Sequence, residues 1–383
     1  MHPGRSGDFQ SRSLSEVKSS LRCGFTTGAA ASAAGVAAYL RSRRGEIPAV
    51  VELCFPDGRR RAIATNWRGG AEFAVVKDGG DDPDVTDKAL ILAKYLPVSA
   101  AALGPHDYLL EIGRAHLILR GGDGVGLCRR PGLDCAENHW AINPGPRKML
   151  AANLARIGFG ETPEWGLLTI TVPEGGRLAQ RTLNPRLGIV GGISILGTSG
   201  IVYPYSHKAY VKTIMVLVRA LALAGGERLV LTTGGRTLRA AAERLPELDE
   251  SCFVRIGDFI YDSLRAAQAQ GLTQVVIACM PGKLCKYAAA YHNTHAANVD
   301  QTLAPLVEAF LAVGGDAATA AKLAACPAVR QALELIPAAR LEACLGRLVE
   351  RALGVLRDWF PTLHLRLLLF DFEGRLLLDR GSS

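Results

Sequence analysis

Aromatic residues are scarce in this chain: Phe, Trp and Tyr together make up 6% of its 383 residues. No basic run has aromatics interleaved with it, so the stacking platform of a single-strand nucleic-acid binder is missing. Paired cysteines are missing too. The nine cysteines fall at 23, 54, 128, 135, 252, 279, 285, 326 and 344, none at CxxC spacing. A chain of this length needs no covalent staples, which predicts free thiols in a reducing, cytoplasmic compartment. Of the eight histidines only His292 and His295 lie close together, with no Cys or carboxylate beside them, so no protein-bound metal is expected. Neither a Ser-His-Asp order, nor a P-loop, nor a metal-binding helix motif occurs, which removes the hydrolase and kinase readings.

Long bulky apolar runs are lacking as well. Cys23 to Leu40 is uncharged and follows Arg5, Arg12, Lys18 and Arg22, a caricature of a secretory signal. Its bulky apolar members are only Phe25, Val36, Tyr39 and Leu40; the rest is mostly Ala, Gly, Ser and Thr. Leu187 to Ser206 is uncharged and long enough to span a bilayer, but its glycines and Pro204 break it into β-branched pieces. Neither stretch predicts a membrane partner.

What is present is globular: 49% apolar and 21% charged residues, enough for two domains. Lys and Arg number 44 against 36 Asp and Glu, a net charge of 44 − 36 = +8. That balance favours an anionic partner, and without aromatic interleaving a small-molecule anion fits better than nucleic acid.

The pattern predicts an α/β protein. Residues 1–20 are polar and Ser-rich and are expected to be a disordered tail. Residues 21–200 form an α+β domain with glycine-rich loops. It has a small-residue helix over Ala29–Arg41, a hairpin over Val50–Phe55 and Arg60–Thr65 around Pro56-Asp57-Gly58, strands near Ala71–Lys77, Leu109–Arg114, Leu117–Leu119 and Leu167–Val172, and a helix over Arg147–Ile157. Residues 201–383 alternate strands and helices as a Rossmann-like parallel α/β domain does, with a helical extension over 302–358 and a late hairpin around Glu373-Gly374. The ligand crevice of such a sheet lies beyond the carboxyl ends of its strands, at 232–236, 257–259 and 280–283.

Several segments could carry chemistry. Gly24-Phe25-Thr26-Thr27-Gly28 opens a helix, as an anion site or as a plain N-cap; taken alone, the plain cap is the better reading. Asp78, Asp81, Asp82 and Asp84 crowd one turn after a strand; without EF-hand spacing, calcium is not indicated, and function is favoured over a solvated turn. Gly121–Gly126 echoes a dinucleotide loop, but Pro131-Gly132 follows where the helix should start, so it reads as a tight turn bringing backbone near a ligand or neighbouring chain. Gly191–Gly200 pairs glycines with hydroxyls and either holds a flat ligand edge or turns a corner. Lys283 and Lys286, then Asn293-Thr294-His295, are expected at the two ends of one helix, with His295 a proton shuttle, an anion contact or a cap.

Taken in order, these segments resemble the CbiD family of cobalt-precorrin-5B C1-methyltransferases of anaerobic cobalamin biosynthesis. The resemblance runs through Gly24–Gly28, Val75–Thr86, Gly121–Gly126 with Arg130-Pro131-Gly132-Leu133, Ala141-Ile142-Asn143-Pro144 and Gly191–Gly200. It continues through Thr232-Thr233-Gly234, Gly257-Asp258-Phe259, Gly282-Lys283-Leu284 and Asn293-Thr294-His295. Two places depart from the family pattern: Ala29 and Ala30 follow Gly28, and Met280-Pro281 precedes Gly282.

The resemblance implies methylation of a ring carbon on an anionic tetrapyrrole, with S-adenosyl-L-methionine as donor and any cobalt belonging to the substrate. It makes Asp81, Asp82 and His295 the catalytic candidates. Thr26, Thr27, Asp78, Asp84, Arg130, Lys283, Asn293 and Thr294 become substrate-binding candidates, with Arg129, Arg147, Lys148 and Arg186 also suited to the acidic arms. Gly192, Ser194, Gly197, Thr198, Ser199, Thr232, Thr233, Gly234 and Asp258 become donor-binding candidates. The macrocycle is expected between the domains. A homodimer is compatible with the small-residue helices. The alternative is a non-catalytic carrier of the same tetrapyrrole.

Overall fold

The computed structural model describes residues 21–295 and 302–381. The expected tail at 1–20 lies outside the described residues. The chain divides into two compact units, the first ending at Ser206 and the second beginning at His207, where the sequence pattern predicts the change of domain at 200.

In the first unit, helix α1 (Thr27–Arg44) begins earlier than its alanine run suggests, because Thr26 accepts from the Ala29 amide at 3.2 Å. It stops at Gly45, which adopts φ 73° and returns its amide to Arg41. Every residue from Thr27 to Leu40 is buried. Small side chains make this possible: a Cβ on Gly35 would strike Leu150 and Leu168. Helix α2 (Pro144–Arg156) packs beside α1 on the same sheet.

The hairpin is β1 (Val50–Cys54) and β2 (Arg60–Ala64), antiparallel as predicted. The main sheet comprises β3 (Asn66–Gly69), β4 (Glu72–Val76), β5 (Leu90–Pro97), β6 (Tyr108–Ile112), β7 (Ala115–Gly121) and β8 (Trp165–Thr171), in the order β3-β4-β5-β8-β7-β6. Only the β7–β8 pair is parallel. Strand β5 is a central member that the sequence pattern does not predict. Leu, Ala and Lys dominate it, and these favour helix; pairing with β4 and β8 overrides that preference. Its inward residues Ile91, Ala93 and Tyr95 are fully buried toward α1.

The expectation of free thiols fails at one place. Cys128 and Cys135 form a disulfide that closes the loop carrying Arg129 and Arg130; the other described cysteines are free. Sequence spacing gave no sign of it, since the pair is set by the bend at Pro131-Gly132. Reducing this bridge is expected to cost about 2 kcal/mol of stability, because it closes a short loop. A thermal midpoint that falls on adding dithiothreitol in wild type, but not in Cys128→Ser, would check this.

The second unit has helix α3 (His207–Leu223), then β9 (Arg228–Thr232), α4 (Gly235–Arg244), β10 (Phe253–Arg255), α5 (Ile260–Ala269), β11 (Gln274–Cys279) and α6 (Pro281–Ala288). The predicted helical extension is four helices: α7 (Ala304–Ala312), α8 (Ala317–Ala324), α9 (Val329–Leu335) and α10 (Ala338–Trp359). Strands β12 (His364–Phe370) and β13 (Leu376–Gly381) close the sheet, ordered β10-β9-β11-β12-β13. All neighbours are parallel except β13. Leu229, Val230 and Leu231 on β9 and Val275 to Cys279 on β11 are buried on both faces, as a helix-covered parallel sheet requires.

Candidate functional site

In the second unit the carboxyl ends of β9, β10 and β11 converge. The chain leaves β9 through Thr233 and Gly234, and Ile256 donates back to the Thr232 carbonyl at 2.8 Å. Thr237 on α4 accepts from the Gly234 amide at 3.0 Å. A Cβ placed on Gly234 or Gly235 would meet no atom within 4 Å, so the start of α4 faces open space. Asp258 follows β10. Its carboxylate holds Lys283 Nζ and, at 2.9 Å, Thr294 Oγ1. Lys283 also donates to Thr294 Oγ1 at 2.9 Å, and the buried Lys286 donates to the Thr294 carbonyl at 2.9 Å. Burial pushes the Asp258 pKa up, but the Lys283 hydrogen bond and charge, with Thr294 and His295, outweigh it and leave the carboxyl below its usual range.

Asn293, Thr294 and His295 reach this cluster by a route the sequence does not predict. Helix α6 ends at Ala288, and Ala290 at φ 62° turns the chain back, so Thr294 faces Lys283 instead of standing at the far end of one helix. Asn293 caps the turn, accepting from the His295 amide at 2.9 Å, and the His295 ring lies 5.2 Å from that of His207. His292 stacks on Tyr261 at 4.0 Å. Among the described residues no three His, Cys, Asp or Glu side chains are grouped to hold a metal.

In the first unit the motifs form a hydrogen-bonded network. The Thr27 hydroxyl donates to the Ser194 carbonyl at 3.1 Å and accepts from the Leu196 amide at 2.9 Å. Gly28 donates to the Leu196 carbonyl and Thr26 to that of Gly200. Ser194 donates to Asn184, Ser199 to Ile201, and Gly197 lies against the Thr26 side chain. Thr198 is exposed. The glycines at 121–126 approach their own chain: Gly192 pairs with Gly124, and Gly126 donates to Ile193 at 2.8 Å.

The acidic turn is equally engaged. Asp78 pairs with the Arg22 guanidinium, whose hydrogen bond holds the carboxyl down at about 2. The exposed Asp81 accepts from the Arg22 amide at 2.6 Å and Asp82 from the Tyr205 amide at 3.1 Å. Asp84 takes the buried Lys77 ammonium at 2.6 Å and both Thr86 donors. Burial raises its pKa and Lys77 more than reverses the shift.

A family model described as CbiD matches residues 14–204, and one described as CbiD, C-terminal domain, matches 293–381. A protein of Polaromonas sp. named cobalt-precorrin-5B C(1)-methyltransferase is 39% identical over 94% of this chain and 97% of its own. One of the same name from Methylococcus capsulatus is 40% identical over 94% and 93%. This chain belongs to the CbiD family. A solved cobalamin biosynthesis protein (cbiD) from Archaeoglobus fulgidus is 24% identical, covers 74% of this chain and 90% of that one, and has a TM-score of 0.37.

Within this CbiD chain, Asp258, Lys283 and Thr294 stand together, although the sequence assigns Asp258 to the donor and the other two to the macrocycle. The motifs at 24–28, 78–86 and 191–200 likewise join, and most of their polar groups serve the chain itself. Arg130 lies exposed with its stem against Gly188. Arg22, which pairs with Asp78, carries structural weight that its sequence position does not signal, whereas Lys77 and Lys286 lie inside the motifs at 75–86 and 283–295. Lys77 and Lys286 carry one signal, a lysine inside an apolar run or helix, but their burial is tertiary.

Proposed function

We propose that this protein is a cobalt-precorrin-5B C1-methyltransferase of cobalamin biosynthesis. The observation that carries the reading is end-to-end similarity to proteins of that name, at about two residues in five over more than nine-tenths of both chains. The reading takes the protein as a cytoplasmic enzyme acting on an anionic tetrapyrrole, with S-adenosyl-L-methionine as methyl donor and cobalt as part of the substrate. No helix among the described residues is long and apolar enough to cross a membrane.

S-adenosyl-L-methionine supplies an electrophilic methyl on sulfur, so a nucleophilic ring carbon needs no covalent help from the protein. The chain's task is to align the two reactants and exclude water, which is worth about 7–11 kcal/mol. The open start of α4 at Gly234-Gly235 offers the donor room and backbone N–H groups, and the Thr233 and Asp258 side chains flank that end of the sheet. Lys283 and Thr294 fix the Asp258 carboxylate before any ligand arrives. His295, near enough to act on Asp258 electrostatically, is the candidate for accepting the proton that the macrocycle gives up as the methyl adds. In the first unit, Asp81 is the exposed acid of its turn and the second candidate. Thr27 and Ser194 act as positioning residues, the Thr27 hydroxyl joining the Ser194 carbonyl to the Leu196 amide, while Gly197 packs against Thr26.

The test is incubation of the pure protein with cobalt-precorrin-5B and methyl-labelled donor. Label on the ring is the expected result. Tight pigment binding without label would make the protein a carrier and overturn the reading. Asp258→Asn removes the charge that positions Lys283 and is expected to weaken donor binding by about tenfold to a hundredfold with the pigment affinity kept; calorimetry with each ligand separates the two.

A further inference from the structure

In the first unit, Arg22, Arg120 and Arg177 each pair with an acid. Arg147 does not. Its guanidinium carbon lies 3.9 Å over the Tyr108 ring, and its Nε is buried without a hydrogen-bond partner. The charges acting on it include no carboxylate: burial lowers its pKa and only Tyr108 opposes that. Arg147 also sits near the amino end of α2, where the helix dipole disfavours a cation and no acidic residue stands in the first turn. A half-buried cation, uncompensated and at the positive end of a helix, is unfavourable by itself and favourable once an anion joins it.

The surroundings fit a planar anion. Tyr108 is held in place by the Ala136 amide, which donates to its hydroxyl at 3.2 Å, and the His139 ring lies 5.1 Å away. Arg129 reaches the same loop, donating to Asn138 Oδ1 at 3.2 Å. A guanidinium stacked on a ring keeps its N–H fork for a bidentate partner in its own plane, which a carboxylate is and a hydroxyl is not.

We infer that Arg147, stacked on Tyr108 and lacking an internal counter-ion, recognises a carboxylate arm of the tetrapyrrole. The inference rests on the function proposed above and adds the residue that reads the substrate's acidic side chains. Among the basic residues that suit the acidic arms, it singles out Arg147.

The test titrates the full-length protein with cobyrinic acid, a stable cobalt corrin with free carboxylate arms, and with its fully methyl-esterified form, following corrin absorbance. Wild type is expected to bind the acid at least about tenfold tighter than the ester. Arg147→Met should bind the acid about tenfold to a hundredfold more weakly, leave the ester unchanged, and melt no lower than wild type, because a half-buried cation without a counter-ion has gone. Arg147→Lys should fall between the two, and carries the same comparison should Arg147→Met not fold. Wild-type affinity for the acid in Arg147→Met, or an equal loss for acid and ester, overturns the assignment and leaves the methyltransferase reading standing. Failure of wild type to bind either corrin overturns the assignment, while transfer of label to cobalt-precorrin-5B decides the methyltransferase reading separately.

Discussion

Asp84→Asn is expected to lower the unfolding free energy by about 3 kcal/mol, because it strands the Lys77 ammonium in the interior. Lys77 is 1% exposed at its side chain and Asp84 is its ion-pair partner at 2.6 Å. The double variant Lys77→Met/Asp84→Asn should recover most of the loss, since no buried charge is left alone; urea midpoints of the four proteins measure the coupling. The pH dependence has a defined sign. The folded carboxyl of Asp84 is depressed, so its contribution is complete above the unfolded value near pH 4 and disappears as pH falls through the lower folded value. Asp84→Asn should therefore show a flatter acid limb below about pH 4. If Asp84 instead touched the substrate, the variant would keep its urea midpoint and lose only pigment affinity.

Gly124→Ala is expected to cost more than about 4 kcal/mol, enough to leave little folded protein. Gly124 has φ 73°, and a methyl there would collide with the Val172 carbonyl and with Gly175 Cα. Both obstacles are backbone and cannot swing aside. Side chains on Gly175 or Gly192 would strike the Gly124 carbonyl in turn, so three glycines far apart in the chain interlock. Gly58→Ala is the control. It has φ 81° in the Pro56-Asp57-Gly58 turn, and nothing lies within 4 Å of the added methyl, so it should cost only about 1–2 kcal/mol of left-handed strain. Equal urea midpoints for the two variants would show that the interlock is not what requires glycine at 124.

Most of the elements were legible because their signals are local. Pro56-Asp57-Gly58 supplies the dihedrals of the first hairpin, the alanine run marks α1, and short apolar runs mark β9 and β11. Strands β3 and β5 are exceptions; β5 has helix-favouring composition and becomes a strand because two neighbours pair with it. The site was legible as a set of motifs and not as a map. Asp258 and Thr294 were both singled out, but the reversal at Ala290 that joins them is a backbone decision with no side-chain signature. The glycines at 121–126 announce close approach; that the approaching backbone is the chain's own 172–175 and 192 is invisible in their spacing.

The amino-acid order alone determined the α/β class, the CbiD resemblance and the identity of the polar groups available for chemistry. Tertiary structure decided which of those groups are already used. Thr27 finds its partner at Leu196, 169 residues away, and is used up there; Arg147 finds a ring and no acid, and is not. The reason is that hydrogen-bonding capacity belongs to a side chain, whereas its satisfaction depends on what the fold places against it.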